Sequence, residues 1–163
     1  MSSLRQLPDL GQLKKWGSLD ASSFKEIRAA LEKNQKILIL APKDSGKNTV
    51  QHAIVNYLHR MHKEPMVLPS IEGVSAKKFK SNLKLKSMKK HLKNFKSYVA
   101  AIQYTGSSKT DISDLTSYLL EDFDLIVDLR NISGSRVVCN LIKGRKNINL
   151  IYTNPKFEKY IAA

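Results

Sequence analysis

The residues best suited to chemistry lie together in Ala41-Pro42-Lys43-Asp44-Ser45-Gly46-Lys47-Asn48-Thr49. The run Lys36-Ile37-Leu38-Ile39-Leu40-Ala41 leads into them and reads as a buried strand. Behind them, Val50, Ala53, Ile54, Tyr57, Leu58 and Met61 recur every three or four positions, which describes one helix face over 47–62. Gly-Lys between a strand and a helix fits the phosphate-binding pattern G-x-x-x-x-G-K-[ST]. In such a loop, backbone N–H groups and the helix N-terminus hold an anion. Lys47 is expected to reach the terminal phosphates, and Gly46 to let the backbone approach closely. Lys43, Ser45, Asn48 and Thr49 complete the candidate set for ATP or ADP with magnesium. Three positions depart from the pattern. Ala41 replaces the first glycine, Asn48 replaces the magnesium-ligating Ser/Thr, and Asp44 sets a carboxylate inside the loop. A loop that keeps the fold without its ligand is the alternative reading.

A second candidate is Asp128, at the end of the apolar run Leu125-Ile126-Val127. Strand ends of this kind line the sheet edge where ligands bind. A carboxylate there would hold magnesium, together with Asn48, or orient an attacking water. An ordinary strand-end aspartate is again the alternative.

A third feature is charge. The chain carries 28 Lys+Arg against 14 Asp+Glu, a net +14. Lysines 77, 78, 80, 84, 86, 89, 90, 93, 96 and 109 fall within 74–110, where there is no Asp or Glu. Leu85, Met88, Leu92, Phe95 and Val99 give the same segment a helical apolar stripe, so about 77–98 reads as a Lys-rich helix. Its bland reading is a solvated surface face. Its sharper reading makes Lys77, Lys78, Lys80, Lys84, Lys86, Lys89, Lys90, Lys93 and Lys96 a site for an acidic protein, nucleic acid or an anionic membrane.

Other elements must position these groups. Phe24, Ile27, Ala30 and Leu31 mark a short helix. Pro65–Leu68 and Val99–Tyr104 read as strands, and Asp111–Leu120 as a helix capped by Thr110 or Asp111. Val137–Ile142 reads as a helix that buries Cys139, and Ile148–Tyr152 as a closing strand. Alternating strands and helices imply an α/β domain, with a mostly parallel sheet covered on both faces. Residues 1–17 show no periodicity and read as an arm before a domain at 18–163. At 163 residues and 42% hydrophobic content, one globular domain is expected, not a disordered or fibrous chain. No apolar run nears the roughly 20 residues that cross a bilayer. One cysteine excludes an internal disulfide, which fits a cytoplasmic setting.

Taken in order, the boxes resemble the motor core of type II/type IV secretion and type IV pilus retraction ATPases. That family reads G-P-T-G-S-G-K-[ST]-T, a helix ending D-Y-L-N, T-I-E-D-P-I-E, then D-P-D-x-I-L-V-G-E-[IM]-R-D and T-G-H-L-V-x-[ST]-L-H-T-N. Here the loop is followed by Asn56-Tyr57-Leu58-His59, Pro69-Ser70-Ile71-Glu72-Gly73, Asp122-Phe123-Asp124-Leu125-Ile126-Val127-Asp128-Leu129-Arg130-Asn131, Lys143-Gly144-Arg145 and Ile151-Tyr152-Thr153-Asn154. The resemblance implies a three-layer P-loop NTPase domain of RecA-like type. It gives Asp128 the place of the catalytic glutamate and Glu72 that of the acidic residue in the second box. Arg145 and Tyr152 stand where the family has histidines, and no arginine lies between Arg60 and Arg130. A missing arginine finger alone costs about 10³–10⁵ in rate. The expectation is a shortened, degenerate relative with weakened or lost nucleotide binding and little hydrolysis. It would serve a secretion or pilus motor ring as a regulator, peripherally at the inner membrane. A basic binding module with a vestigial loop is the second expectation. A small nucleotide kinase is the third, its lid arginines limited to Arg130, Arg136 and Arg145.

Overall fold

The computed structural model describes residues 9–33, 36–106, 108–132, 135–143 and 149–154. The elements run α1 (Leu10–Lys15), α2 (Ala21–Glu32), β1 (Lys36–Pro42), α3 (Lys47–Arg60), β2 (Met66–Val67), β3 (Ile71–Ser75), a 3-10 turn (Phe79–Ser81), α4 (Leu83–Leu92), β4 (Tyr98–Thr105), α5 (Lys109–Leu120), β5 (Leu125–Ile132), β6 (Ser135–Lys143) and β7 (Asn149–Thr153).

One sheet joins the strands in the order β2-β4-β1-β5-β6-β7, with β3 also paired to β4. Strands β1 to β5 pair in parallel, while β6 and β7 are antiparallel. The apolar run of β1 is continuous because both its faces are covered. Ile37, Ile39 and Ala41 pack with Val127 and Leu129 beneath the layer of α1, α2 and α3. Leu38 and Leu40 pack with Ile102 and Ile126 against Leu85 and Met88 of α4 and Leu115 and Leu119 of α5. The result is a three-layer α/β domain with a mixed, mostly parallel sheet.

Several elements differ from the sequence expectation. Val137–Ile142 is not helical but forms most of β6. A short apolar run of this length cannot be assigned by periodicity, and here the open edge of β5 decides it by pairing along eight register positions. Cys139 is buried as expected, but on a strand. Residues 9–17 are not a featureless arm. Asp9 accepts from the Gln12 backbone at 2.8 Å while the Gln12 side chain accepts from the Asp9 N–H at 3.2 Å. That capping box starts α1, which sends Leu10 and Leu13 into the core. The Lys-rich segment is α-helical only over 83–92, because Asn82 caps α4 there and the preceding turn is 3-10. Helix α5 begins earlier than expected, with Ser108 rather than Thr110 or Asp111 as its cap. Residues 1–8, Gly144 and Arg145 lie outside the described residues.

Candidate functional site

The chain leaves β1 for α3 on one face of the sheet, and leaves the neighbouring β4 for α5 on the other. Adjacent parallel strands whose connections part in this way open a crevice at their carboxyl ends, the usual ligand position in such sheets. A cavity of about 350 Å³ lies there, lined by residues 42–49 with Glu72, Gln103 and Arg136.

Two left-handed residues shape the loop, Asp44 (φ 62°) and Gly46 (φ 80°). Aspartate tolerates this conformation better than most side chains, and glycine adopts it freely. Asp44 thus has a backbone role, and its carboxylate is on the exposed side of the loop. The Asp44 carbonyl accepts a hydrogen bond from Asn131 Nδ2 at 3.0 Å. Gly46 is the N-cap of α3 and supplies no side-chain cap, so the first-turn N–H groups have no capping oxygen.

Lys47 is only 7% exposed, and its Nζ reaches across the crevice. It donates to Asn48 Oδ1 at 2.9 Å, to Glu72 Oε1 at 3.4 Å and to Ser70 Oγ. The Ser45 side chain is 2% exposed, yet its Oγ has no hydrogen-bond partner. An unsatisfied buried hydroxyl costs about 1–3 kcal/mol, a deficit that a ligand oxygen would relieve. Lys43 is exposed and Thr49 half-buried at the crevice wall. The structure therefore brings Lys43, Ser45, Gly46, Lys47, Asn48, Thr49 and Glu72 together.

Asp128 is not with them. Its register partner on β1 is Leu40, and strand alternation sets it on the α4/α5 side with Ile126, across the sheet from α3. Both its oxygens are engaged. Arg130 Nε and Nη2 donate to Oδ1 and Oδ2 at 3.0 and 3.2 Å, and Asn140 Nδ2 donates to Oδ2 at 2.7 Å. Thr153 Oγ1 in turn donates to Asn140 Oδ1 at 3.1 Å. Burial opposes the Arg130 charge, but the adjacent Asp128 outweighs it and holds the guanidinium protonated well above its ordinary range. Burial pushes the Tyr104 phenol up to about 12, against the opposing pull of Arg130. Burial also raises the Cys139 thiol to about 12, and the Asp128 charge adds to that. Asn48 Oδ1 faces the Lys47 ammonium instead of an open position. Asn48 and Asp128 therefore do not fit a magnesium site, and no cluster of three His, Cys, Asp or Glu occurs among the described residues.

The lysines of 77–96 are exposed except Lys89. Its Nζ meets Asp122 at 2.8 Å, Glu121 at 3.0 Å and the Tyr118 carbonyl at 2.7 Å. Burial lowers its affinity for a proton, but the Asp122 and Glu121 contacts more than reverse this. Lys89 thus fastens α4 to α5 and is not part of the free basic face.

Sequence reasoning missed Ser70, Gln103, Asn131 and Asn140. Ser70, Asn131 and Asn140 act through non-local hydrogen bonds and Gln103 lines the crevice from β4, none of which leaves a spacing in the chain. Among the described residues no helix is long and apolar enough to cross a membrane. No protein-family model and no curated protein matches the chain.

Proposed function

We propose that the crevice binds the phosphates of a nucleotide such as ATP or ADP, and that the domain holds this ligand rather than turning it over. The observation that carries the reading is the Ser45 hydroxyl, buried and without a partner, in a left-handed loop beside an uncapped helix N-terminus. Phosphate oxygens are acceptors that such a hydroxyl and such N–H groups satisfy. Lys47 supplies the compensating charge, and the exposed Glu72 can turn to solvent when a phosphate displaces it.

Slow turnover follows from the placement of Asp128. Phosphoryl transfer depends on charge neutralisation and on positioning of the nucleophile. A carboxylate bound on both oxygens by Arg130 and Asn140 does neither at the loop. The series of boxes from the loop to Asn154 supports descent from a secretion or pilus motor core. In that setting a nucleotide-holding domain acts as a regulator or docking partner of the motor ring. The exposed lysines around α4 offer an acidic partner protein a matching surface.

The test is thermal stability in titrations with ATP and ADP. Ligand at 100 times its dissociation constant adds about 2.7 kcal/mol to the folded state. An upward shift that Lys47→Ala removes supports the reading. No shift at millimolar nucleotide sinks it, and phosphate release at ordinary ATPase rates sinks the claim of slow turnover.

A further inference from the structure

The crevice has two flanks, on opposite sides of β1. Glu72 and Gln103 come from β3 and β4 on one, and the β5–β6 hairpin lies on the other. The last β1–β5 register pair is Leu40 with Asp128. Beyond it, Leu129–Ile132 pair with β6 alone, so the hairpin runs on past the end of that pairing toward the loop. Asn131 and Arg136 are register partners within this extension. Asn131 fastens it to the loop through the Asp44 carbonyl at 3.0 Å. Arg136 lies beside Gly46. A Cβ built on that glycine would stand 3.5 Å from Arg136 Cδ and 3.8 Å from its Cβ. The Arg136 stem thus lies against the glycine backbone, and its guanidinium begins one bond farther on, at the crevice it lines.

The two arginines of this hairpin are used differently. Arg130 is spent on Asp128. Among the described residues, the Arg136 side chain has no hydrogen bond or ion pair. The charges lining the crevice are Lys43, Lys47 and Arg136 against Asp44 and Glu72.

We propose that Arg136 is the second cation of this site, and that it makes the site selective for nucleoside di- and triphosphates over monophosphates. The proposal rests on the nucleotide reading above. A single phosphate on the loop meets Lys47, Ser45 and the α3 N–H groups. A following phosphate extends toward the hairpin, where the planar guanidinium offers two parallel donors to its oxygens. Lysine cannot reproduce that fork, because it is a point charge. Asn131 is a positioning residue that holds the hairpin over the loop.

The experiment measures ATP, ADP and AMP affinities by calorimetry for the wild type, Arg136→Ala, Arg136→Lys and Lys47→Ala. Arg136→Ala is expected to weaken ATP and ADP about 10- to 100-fold, the worth of hydrogen bonds to a charged group, and to leave AMP unchanged. Arg136→Lys should recover only part of the loss. Unliganded melting temperatures of the Arg136 variants should match the wild type, since the side chain is exposed. If Arg136→Ala binds ATP as the wild type does while Lys47→Ala does not, the inference fails and the nucleotide reading stands. Equal weakening of AMP and ATP also overturns it, because Arg136 would then add only general positive field. If the wild type binds none of the three, the nucleotide reading and this inference fall together.

Discussion

Two neighbouring strands carry the polar chemistry of this domain, β1 at its end and β5 in its middle, and they are in opposite states. At the end of β1, Ser45 Oγ is buried without a partner and α3 starts without a side-chain cap. On β5, one strand over, Asp128 has both oxygens bonded and its neighbours Arg130 and Asn140 are bonded to it. The first region has polar capacity left over, whereas in the second each oxygen of Asp128 is already bonded. A ligand oxygen would satisfy the first. The second already has its counter-charge within the chain. An acidic residue after an apolar run, as Asp128 is, is therefore not enough to identify a site. What distinguishes the two is whether the fold has already supplied the partner.

The comparison can be broken in several ways. The largest effect concerns the closed region. Cys139 ionises near 12 instead of 9.0, so at a given alkaline pH below 9 its thiolate is about 1,000-fold scarcer than in the unfolded chain. A thiol reagent at pH 8 should label it only as fast as the domain unfolds. Prompt labelling of native protein would mean that this region is open. The sign with pH follows from the raised value: the unfolded thiol ionises first, so stability falls as pH rises from 9.0 toward 12.

Asp128→Ala comes next. It leaves Arg130 without its counter-charge in a region with little solvent, at a cost of about 3 kcal/mol in urea denaturation. ATP affinity should be unchanged; a weakened affinity at unchanged stability would place Asp128 in the crevice chemistry after all. Asn140→Ala removes one bond to Asp128 and one from Thr153, and should cost about 1–2 kcal/mol. The smallest effect has the opposite sign. Ser45→Ala removes an unsatisfied buried hydroxyl, so the unliganded protein should gain up to about 1 kcal/mol while losing ATP affinity. A loss of stability in Ser45→Ala would show that the hydroxyl already has a partner, and the contrast between the regions would disappear.

The open region was the more legible one. Its strand, loop and helix are consecutive, and Gly46-Lys47 announces itself by local chemistry. The closed region is not legible in the same way, because its meaning depends on β6. While Val137–Ile142 reads as a helix, Asn140 has no route to Asp128, and Asp128 looks free. The antiparallel pairing of β5 with β6 brings Asn140 beside Asp128, and carries Arg136 to the loop. Neither consequence has a sequence spacing that marks it. The edge of the sheet was also hidden. Motif order marks Glu72, but that Ile71–Ser75 is a strand follows from its pairing with β4. By contrast, α1 was legible in principle, since Asp9 and Gln12 stand at capping-box spacing.

The cap of α2 has a consequence in time. Asp20 holds the Ser23 N–H at 2.8 Å and also accepts from the Tyr152 hydroxyl at 2.6 Å, a partner 132 positions away. Nearby, the Ser18 carbonyl accepts from the Val138 N–H of β6 at 2.9 Å. During synthesis the chain grows at about 5–20 residues per second, so these partners emerge several seconds after the helix they complete. The first layer to leave the ribosome is thus among the last to be fully tied down. Until β6 and β7 arrive, the apolar edge of β5 remains uncovered. The interval between Asp20 and Tyr152 is the period in which the nascent domain is most exposed to misassociation.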